Sequence, residues 1–351
     1  MKISVLTSQK KCPLIAWAIA ALILSACSPA KAEPGDEYKH DASKVISANN
    51  TYSWLKTDTS IALKKNDHLV WQFNFDKESD KPYFFPLRTA NTLQELASLR
   101  PADHPWHRGL WFSWKLINKV NYWEEDFTTR LSPGRSIIDS VGVQFNQDFS
   151  AVISIKLSYG AAGKSTIISE NRIIYVSAPD EAGNYYLDWN LKFKAGSEQL
   201  ILDRTLPPAQ GGPFYGGYAG LSIRASEALN KHRFVDSKGW KNTKEMVGHG
   251  KKAEWMHLSG VTDSAKGIWG GITIFDHPSN INSPTPWYVY KDKQFAFFNS
   301  ALLFEKPLTL EPFEQMVLRY RVLIHEGRVR EPVLSRKYKS FLARRLNYAR
   351  S

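Results

Sequence analysis

From residue 69 onward the chain alternates apolar and polar positions with a period of two. The segments are LVWQFNF (69–75), VGVQFNQ (141–147), AVISIKLSY (151–159), STIISENRIIYVS (165–177), YYLDWNLKFK (185–194), GLSIRAS (220–226), GGITIFD (270–276), QFAFFNS (294–300) and MVLRYRVLIH (316–325). Successive side chains of a strand point to opposite faces, so this pattern predicts half-buried strands, and the Gly, Pro, Asn and Asp between them predict turns. Helical periodicity is scarce before residue 330. Many strands without alternating helices predict an all-β fold, a large antiparallel β-sandwich, rather than an α/β fold. No internal repeat or mid-chain linker divides residues 46–330, which are read as one domain.

The two ends differ from this body. Lys2, Lys10 and Lys11 precede the apolar run PLIAWAIAALIL and then LSAC (24–27), a secretory signal closed by a lipobox of the bacterial lipoprotein kind. Cys27 is the residue to be acylated once 1–26 are removed, and 27–45 reads as a flexible tether. These features predict a lipid-anchored protein of the bacterial cell envelope. Ser28 rather than aspartate after Cys27 favours the outer membrane. At the other end, Leu334, Tyr338, Phe341, Leu342 and Leu346 share one helical face in 331–351, with basic residues on the other. That helix can cap the sandwich or meet an anionic surface.

Charge and cysteine then exclude several classes. The formal charge is +12, but three lysines sit in the leader, and residues 321–351 hold nine Lys or Arg against Glu326 and Glu331, which leaves 27–320 near +2. Basic residues gathered on one terminal segment do not make a nucleic-acid face. Cys12 and Cys27 are the two cysteines, so the mature body has no disulfide, thiolate metal site or cysteine nucleophile.

Four clusters concentrate groups that are costly to bury unpaired. PYFFPLRTA (82–90) supplies Arg88. DHPWHRGLWFSW (103–114), followed by NYWEED (121–126), supplies His104, His107 and Arg108. GGPFYGGYAGLSIRAS (211–226) supplies Tyr215, Tyr218 and Arg224, and FDHPSNINSPTPWYVY (275–290) supplies Asp276, His277 and Trp287. Pro105 and Gly109 argue for a turn entering a strand, so the two histidines are read as proton-transfer groups and no metal is assigned. The glycine run lacks the spacing of a phosphate loop, and no Rossmann pattern is present, so no cofactor is assigned. Its glycines fit a bulge or a close approach of backbone to a ligand. Aromatics at 13% of residues, often beside polar neighbours, suit the apolar face and hydroxyl rim of a pyranose.

At KPYFFPLRTA, DHPWHRGLWFSW, YGGYAGLSIRAS, DHPSNINSPTPWYV and ALLFEKPLTLEPFEQMVLRYRVLIHEG the chain resembles a bacterial family labelled methane oxygenase PmoA, over roughly residues 60–328. The label is a misnomer, since nothing after residue 27 offers a membrane-length apolar run. The resemblance implies a β-rich domain of carbohydrate-degradation loci, with a supersandwich of the mutarotase kind as one form of it. It also implies action on uronate-containing, ulvan-like oligosaccharides: loss of water from a non-reducing-end uronic acid to leave a 4,5-unsaturated sugar. In that reading Arg88 and Arg108 neutralise the carboxylate, His104 or His107 is the base and Tyr215 or Tyr218 the acid. Arg224, Asp276, His277 and Trp287 contact substrate. A glycoside hydrolase would instead need two opposed carboxylates, for which Asp103, Glu124, Glu125 and Asp276 are available. The same residues also fit a sugar mutarotase or a non-catalytic glycan-binding lipoprotein.

Overall fold

A computed structural model describes residues 44–48, 51–242, 246–247, 250–293 and 295–343. The leader, Cys27, most of the tether and Leu346 lie outside them. Every strand pair is antiparallel, and among the described residues the strands form three sheets. The ten-stranded sheet runs in the order Lys44–Ala48, Tyr52–Lys56, Ser60–Lys65, His68–Asn74, Tyr83–Leu87, Leu110–Ser113, Gly220–Arg224, Ala296–Ser300, Trp287–Lys291 and Met246–Val247. The nine-stranded sheet runs Lys241–Asn242, Asn230–Asp236, Trp255–Asp263, Ile268–Asp276, Gln315–Glu326, Tyr185–Ala195, Ile168–Val176, Ala151–Ala161 and Gly134–Phe145. A small sheet joins Leu308–Leu310, Leu200–Asp203, Leu116–Ile117 and Val120–Asn121. The fold is thus a large antiparallel β-sandwich. Each alternating segment read from the sequence lies on a strand.

The alternation shows how the layers meet. In Ala151–Ala161, Ala151, Ile153, Ile155, Leu157 and Tyr159 are buried, while Ser154 and Lys156 face solvent. Further along the same sheet, Tyr185–Ala195 and Gln315–Glu326 continue the layer, with Leu187 opposite Val322 and Leu191 opposite Leu318. Facing them across the sandwich are Trp54, Leu63, Trp71, Phe84, Leu110 and Phe112, all in one core cluster. Each such side chain contributes about 1.5–3 kcal/mol relative to exposure. The helix Glu331–Ala343 closes one flank of the nine-stranded sheet: Leu334 and Phe341 are buried against Val235, Trp255, Phe275 and Leu323, and Tyr338 stacks on Phe275. Leu334, Tyr338 and Phe341 of its apolar face thus belong to the fold, while Leu342 is 37% exposed.

The central strands of the ten-stranded sheet are buried on both faces, and this positions the site. Leu110 and Phe112, Leu221 and Ile223, Trp287 and Val289, and Phe298 face the main core. The alternate positions Trp111, Tyr288 and Phe297 form a second aromatic cluster with Trp123 and Phe295 on the opposite, outer face.

Candidate active site

A cleft of about 610 Å³ lies over that outer aromatic face. Trp111, Tyr288, Phe295 and Phe297 form and surround its floor, and three chain segments build its walls. The turn at 103–107 carries His104 and His107, each closing a tight backbone bond: His104 N–H to the Pro101 carbonyl at 3.0 Å and His107 N–H to the His104 carbonyl at 2.9 Å. The hairpin between Leu116–Ile117 and Val120–Asn121 turns through Asn118 and Lys119, both at positive φ, and presents Lys115, Asn121, Trp123 and Glu124. The third wall is the glycine-rich loop with Phe214, Tyr215 and Tyr218.

The two imidazoles are stacked, with ring centroids 4.7 Å apart, yet their environments differ. His104 is 39% exposed, and its Nδ1 donates to Asp103 Oδ2 at 2.9 Å. With Nδ1–H so engaged, Nε2 carries the lone pair. Asp103 is held in turn by Arg224, whose Nη1 and Nη2 donate to the two carboxylate oxygens at 3.0 and 3.1 Å while the guanidinium lies 3.4 Å over the Phe295 ring. Partial burial works to raise the Asp103 carboxyl, but His104 and Arg224 outweigh it and hold the carboxyl below its usual range. His107 is buried, stacked on Phe297 at 4.9 Å, and its Nδ1 has no hydrogen-bond partner among the described residues. Burial, then the nearby His104 and Arg224, push it well below the ordinary histidine range, so it is neutral. The exposed imidazole is the one equipped to exchange a proton.

The second polar group in the cleft centres on Glu124. It accepts bonds from Lys115 Nζ, from Asn121 Nδ2 at 2.7 Å and from the Tyr218 hydroxyl at 2.7 Å. Burial acts to raise this carboxyl, but the Lys115 charge and the three donors prevail and keep it ionised. Tyr218 is pushed far above the usual phenol range by burial and by the Glu124 charge, so it holds its proton and serves as a donor. Lys115 lies 5.4 Å from the Tyr218 ring centroid and is the cationic side chain among the described lining residues, apart from what the histidines can carry.

Of the residues singled out in the sequence, His104, His107, Tyr215 and Tyr218 line the cleft, and Arg224 acts on it through Asp103. The others are elsewhere, each for a physical reason. Arg108 donates through Nε and Nη2 to Glu125 at 2.9 and 2.7 Å, in a buried cluster with Lys81 and Arg100. Arg88 pairs with Glu95 at 3.2 Å. Asp276 is fully buried and organises its own loop by accepting from Asn280, Ser283 and the Thr285 amide, and burial raises it to about 6. His277 bonds Ser279 and meets Phe341 of the helix. Trp287 faces the core, donating Nε1–H to the Ala253 carbonyl at 2.9 Å, while its neighbours Tyr288 and Tyr290 face the cleft. Lys115 and Asn121 were not singled out from the sequence, and Glu124 entered only as an available carboxylate. The cue was NYWEED, whose Asn121 Oδ1 caps the Trp123 amide at 2.8 Å and so turns Glu124 inward. Among the described residues, no three His, Cys, Asp or Glu side chains converge as a metal site.

With this geometry in hand, the family of unknown function DUF6807 matches residues 60–339. The chain belongs to that family. The matched span contains every wall of the cleft. No curated protein matches. Among solved structures, an α-galactosidase from Lactobacillus brevis is similar at a TM-score of 0.41 and 11% identity, over 82% of this chain and 41% of that one. A raffinose-bound α-galactosidase from Geobacillus stearothermophilus gives 0.36 and 11%, over 81% and 40%. A Klebsiella pneumoniae protein assigned as an aldose 1-epimerase gives 0.35 and 9%, over 88% and 91%. The chain spans about two fifths of the length of the two α-galactosidases.

Proposed function

We propose that this DUF6807 protein is a carbohydrate-active enzyme that binds one sugar ring in the aromatic cleft and transforms it by proton transfer at His104. The observation that carries this is the chain of contacts Arg224, Asp103, His104. A half-exposed imidazole donates Nδ1–H to a carboxylate that is itself fixed by two guanidinium bonds. Such an arrangement orients the ring, leaves Nε2 to accept a proton, and stabilises the imidazolium that results. Aromatic walls with a few convergent polar groups suit a pyranose, which has an apolar face and a polar rim.

In finer detail, the reaction we propose is elimination of water from a terminal uronic acid. His104 Nε2 takes the C5 proton, the electron pair of that bond forms the C4–C5 double bond, and the C4–oxygen bond breaks. The imidazolium returns the proton to the departing oxygen, which leaves as water. Lys115 faces the substrate carboxylate and makes the C5 proton more acidic. Glu124, kept ionised, and the oxygen of Tyr218, whose proton is given to Glu124, hold ring hydroxyls as acceptors. The protein is proposed to do this from a lipid tether at Cys27 in the cell envelope.

A second reading has a specific observation in its favour. The arginines expected to clamp a carboxylate pair instead with Glu95, Glu125 and Asp103, and Lys115 is bridged to Glu124. A neutral sugar handled between His104 and Glu124, by hydrolysis or anomer exchange, fits that balance of charge. One assay separates the two: purified full-length protein is given uronate-terminated oligosaccharides and their neutral counterparts, and ultraviolet absorbance of the conjugated product is followed. Elimination predicts a rise with the acidic set alone, cut about 10²–10⁴-fold by His104→Ala. Turnover of the neutral set without a rise supports the second reading. Full activity in the His104→Ala variant refutes both.

A further inference from the structure

The cleft is wider than one ring requires, and aromatic side chains outside the core stand on its rim. Phe127 is 75% exposed and Phe214 63%, with Tyr215 at 45%. Exposed apolar groups of this size that cluster beside a cavity mark a contact surface. They occur in two edge-to-face pairs: Trp106 with Phe127 at 6.1 Å, and Phe214 with Tyr215 at 5.2 Å. Trp106, Phe214 and Tyr215 line the cleft, and Phe127 extends it from Trp106 outward.

Trp106 packs against the outer aromatic cluster, while Phe127, Phe214 and Tyr215 are displayed at turn tips. Asp126 accepts the Thr128 and Thr129 amides through Oδ1 at 3.0 and 2.8 Å and the Arg130 amide through its carbonyl at 2.8 Å, which thrusts Phe127 outward. On the other loop, the Gly216 amide closes a turn onto the Pro213 carbonyl at 3.0 Å, with Phe214 and Tyr215 at its corners. That loop folds back so tightly that a Cβ at Gly212 or Gly216 would stand 1.7 or 1.8 Å from the Leu206 carbonyl oxygen. Two separate turns are therefore built to display aromatic rings beside the same cavity.

We infer that these rim aromatics are a second sugar subsite, on which the residue next to the transformed one stacks, so that the substrate class is an oligosaccharide of two or more units rather than a free monosaccharide. The inference rests on the reading that the cleft receives a sugar. Its occupant follows from continuity: whatever leaves the polar floor around His104 and Glu124 through the mouth passes over these rings. A pyranose offers an apolar CH face to them and keeps its hydroxyls in water.

The test is calorimetric titration of the full chain carrying His104→Ala, so that bound sugar is not consumed. The probes are methyl glucuronide and glucuronate-terminated di- and trisaccharides. The disaccharide should bind about tenfold more tightly than the monosaccharide; Phe127→Ala should remove much of that gain while leaving the monosaccharide unaffected, and Phe214→Ala should narrow the gain as well. Both positions are exposed, so neither change threatens the fold. Equal affinity for one and two units, or a gain untouched by both substitutions, overturns the subsite and leaves the proposed reaction standing. A gain abolished by the substitutions in a protein whose wild-type form transforms nothing keeps the subsite and overturns the reaction. No binding by any probe overturns both.

Discussion

Glu124 and Glu125 are adjacent in sequence and belong to different regions. Glu124 opens into the cleft at 26% exposure, held by one lysine, an amide and a phenol, with room for a substrate hydroxyl to join them. Glu125, 1% exposed, lies behind the cleft and is surrounded by Lys81 at 3.1 Å, Arg100 at 2.9 Å and Arg108 at 2.7 Å. Burial works against its ionised form as well, and Lys81 and Arg108 then outweigh it. The difference is one of access. A carboxylate whose acceptor sites are all filled by fixed cations can only hold structure together, whereas one that keeps solvent access can meet a ligand.

Replacing the two carboxylates in turn is the largest test of that contrast. Glu125→Ala leaves Lys81 and Arg108 buried without their shared anion, and removing one partner of a buried pair costs about 3–5 kcal/mol. Chemical denaturation should show that loss, and Lys81→Met in the same background should recover part of it. Glu124→Gln should cost about 1 kcal/mol or less, because the site is partly wet and the amide still accepts a bond, and yet it should reduce turnover about 10²-fold. Equal stability losses in the two variants would erase the distinction.

Acid stability sharpens the same contrast among the histidines. His107, His257 and His325 are all buried, and burial lowers each below the ordinary value, His325 to about 4. In the unfolded chain they take up protons below pH ~6.5. A lowered folded value means the unfolded state binds more protons in between, so their contribution is complete above pH ~6.5 and is lost as pH falls through the folded values. Denaturation midpoints should decline between pH ~6.5 and ~5, before most carboxylates titrate. His325→Gln should remove up to ~3 kcal/mol of the loss between pH ~6.5 and ~4 and so flatten the slope. A slope identical to wild type would mean that His325 is hydrated after all.

What could be read from the sequence follows the same division. Period-two alternation marks strands wherever one face is wet, and the residue pattern of 331–343 marks a helix whose apolar side docks. Where both faces are buried it does not say which face is which. Trp287, Tyr288, Val289 and Tyr290 form an unbroken apolar run, and a shift of one residue exchanges the core face for the cleft face. The tryptophan read as a sugar platform is therefore a core residue, and the tyrosines on either side of Val289 are the ones at the cleft. The arginines failed for another reason. Arg108 and Arg224 meet carboxylates 17 and 121 positions away, and no local pattern reveals such pairings. The histidine turn was legible because its punctuation, Pro105 and Gly109, is local. The glycines of 211–217 were legible as a close backbone approach, though the surface approached is the Leu206 carbonyl rather than a ligand.

The finest division runs through Arg224 itself, which is buried like the arginines of the Glu125 cluster but acts on a group in the cleft. If it is a positioning residue for His104, weakening its grip should alter chemistry more than stability. Arg224→Lys retains one charge near Asp103 but gives up the two-pronged geometry and the guanidinium stacked on Phe295. With fewer donors, Asp103 should be less firmly placed, and the imidazole it orients should be less well fixed in the cleft. The expected signature is a fall in kcat of about tenfold with KM little changed. A structural role alone predicts a lower melting temperature with kcat unaltered per folded molecule. The split between kcat and KM therefore distinguishes an arginine that holds the fold from one that orients the imidazole beyond it.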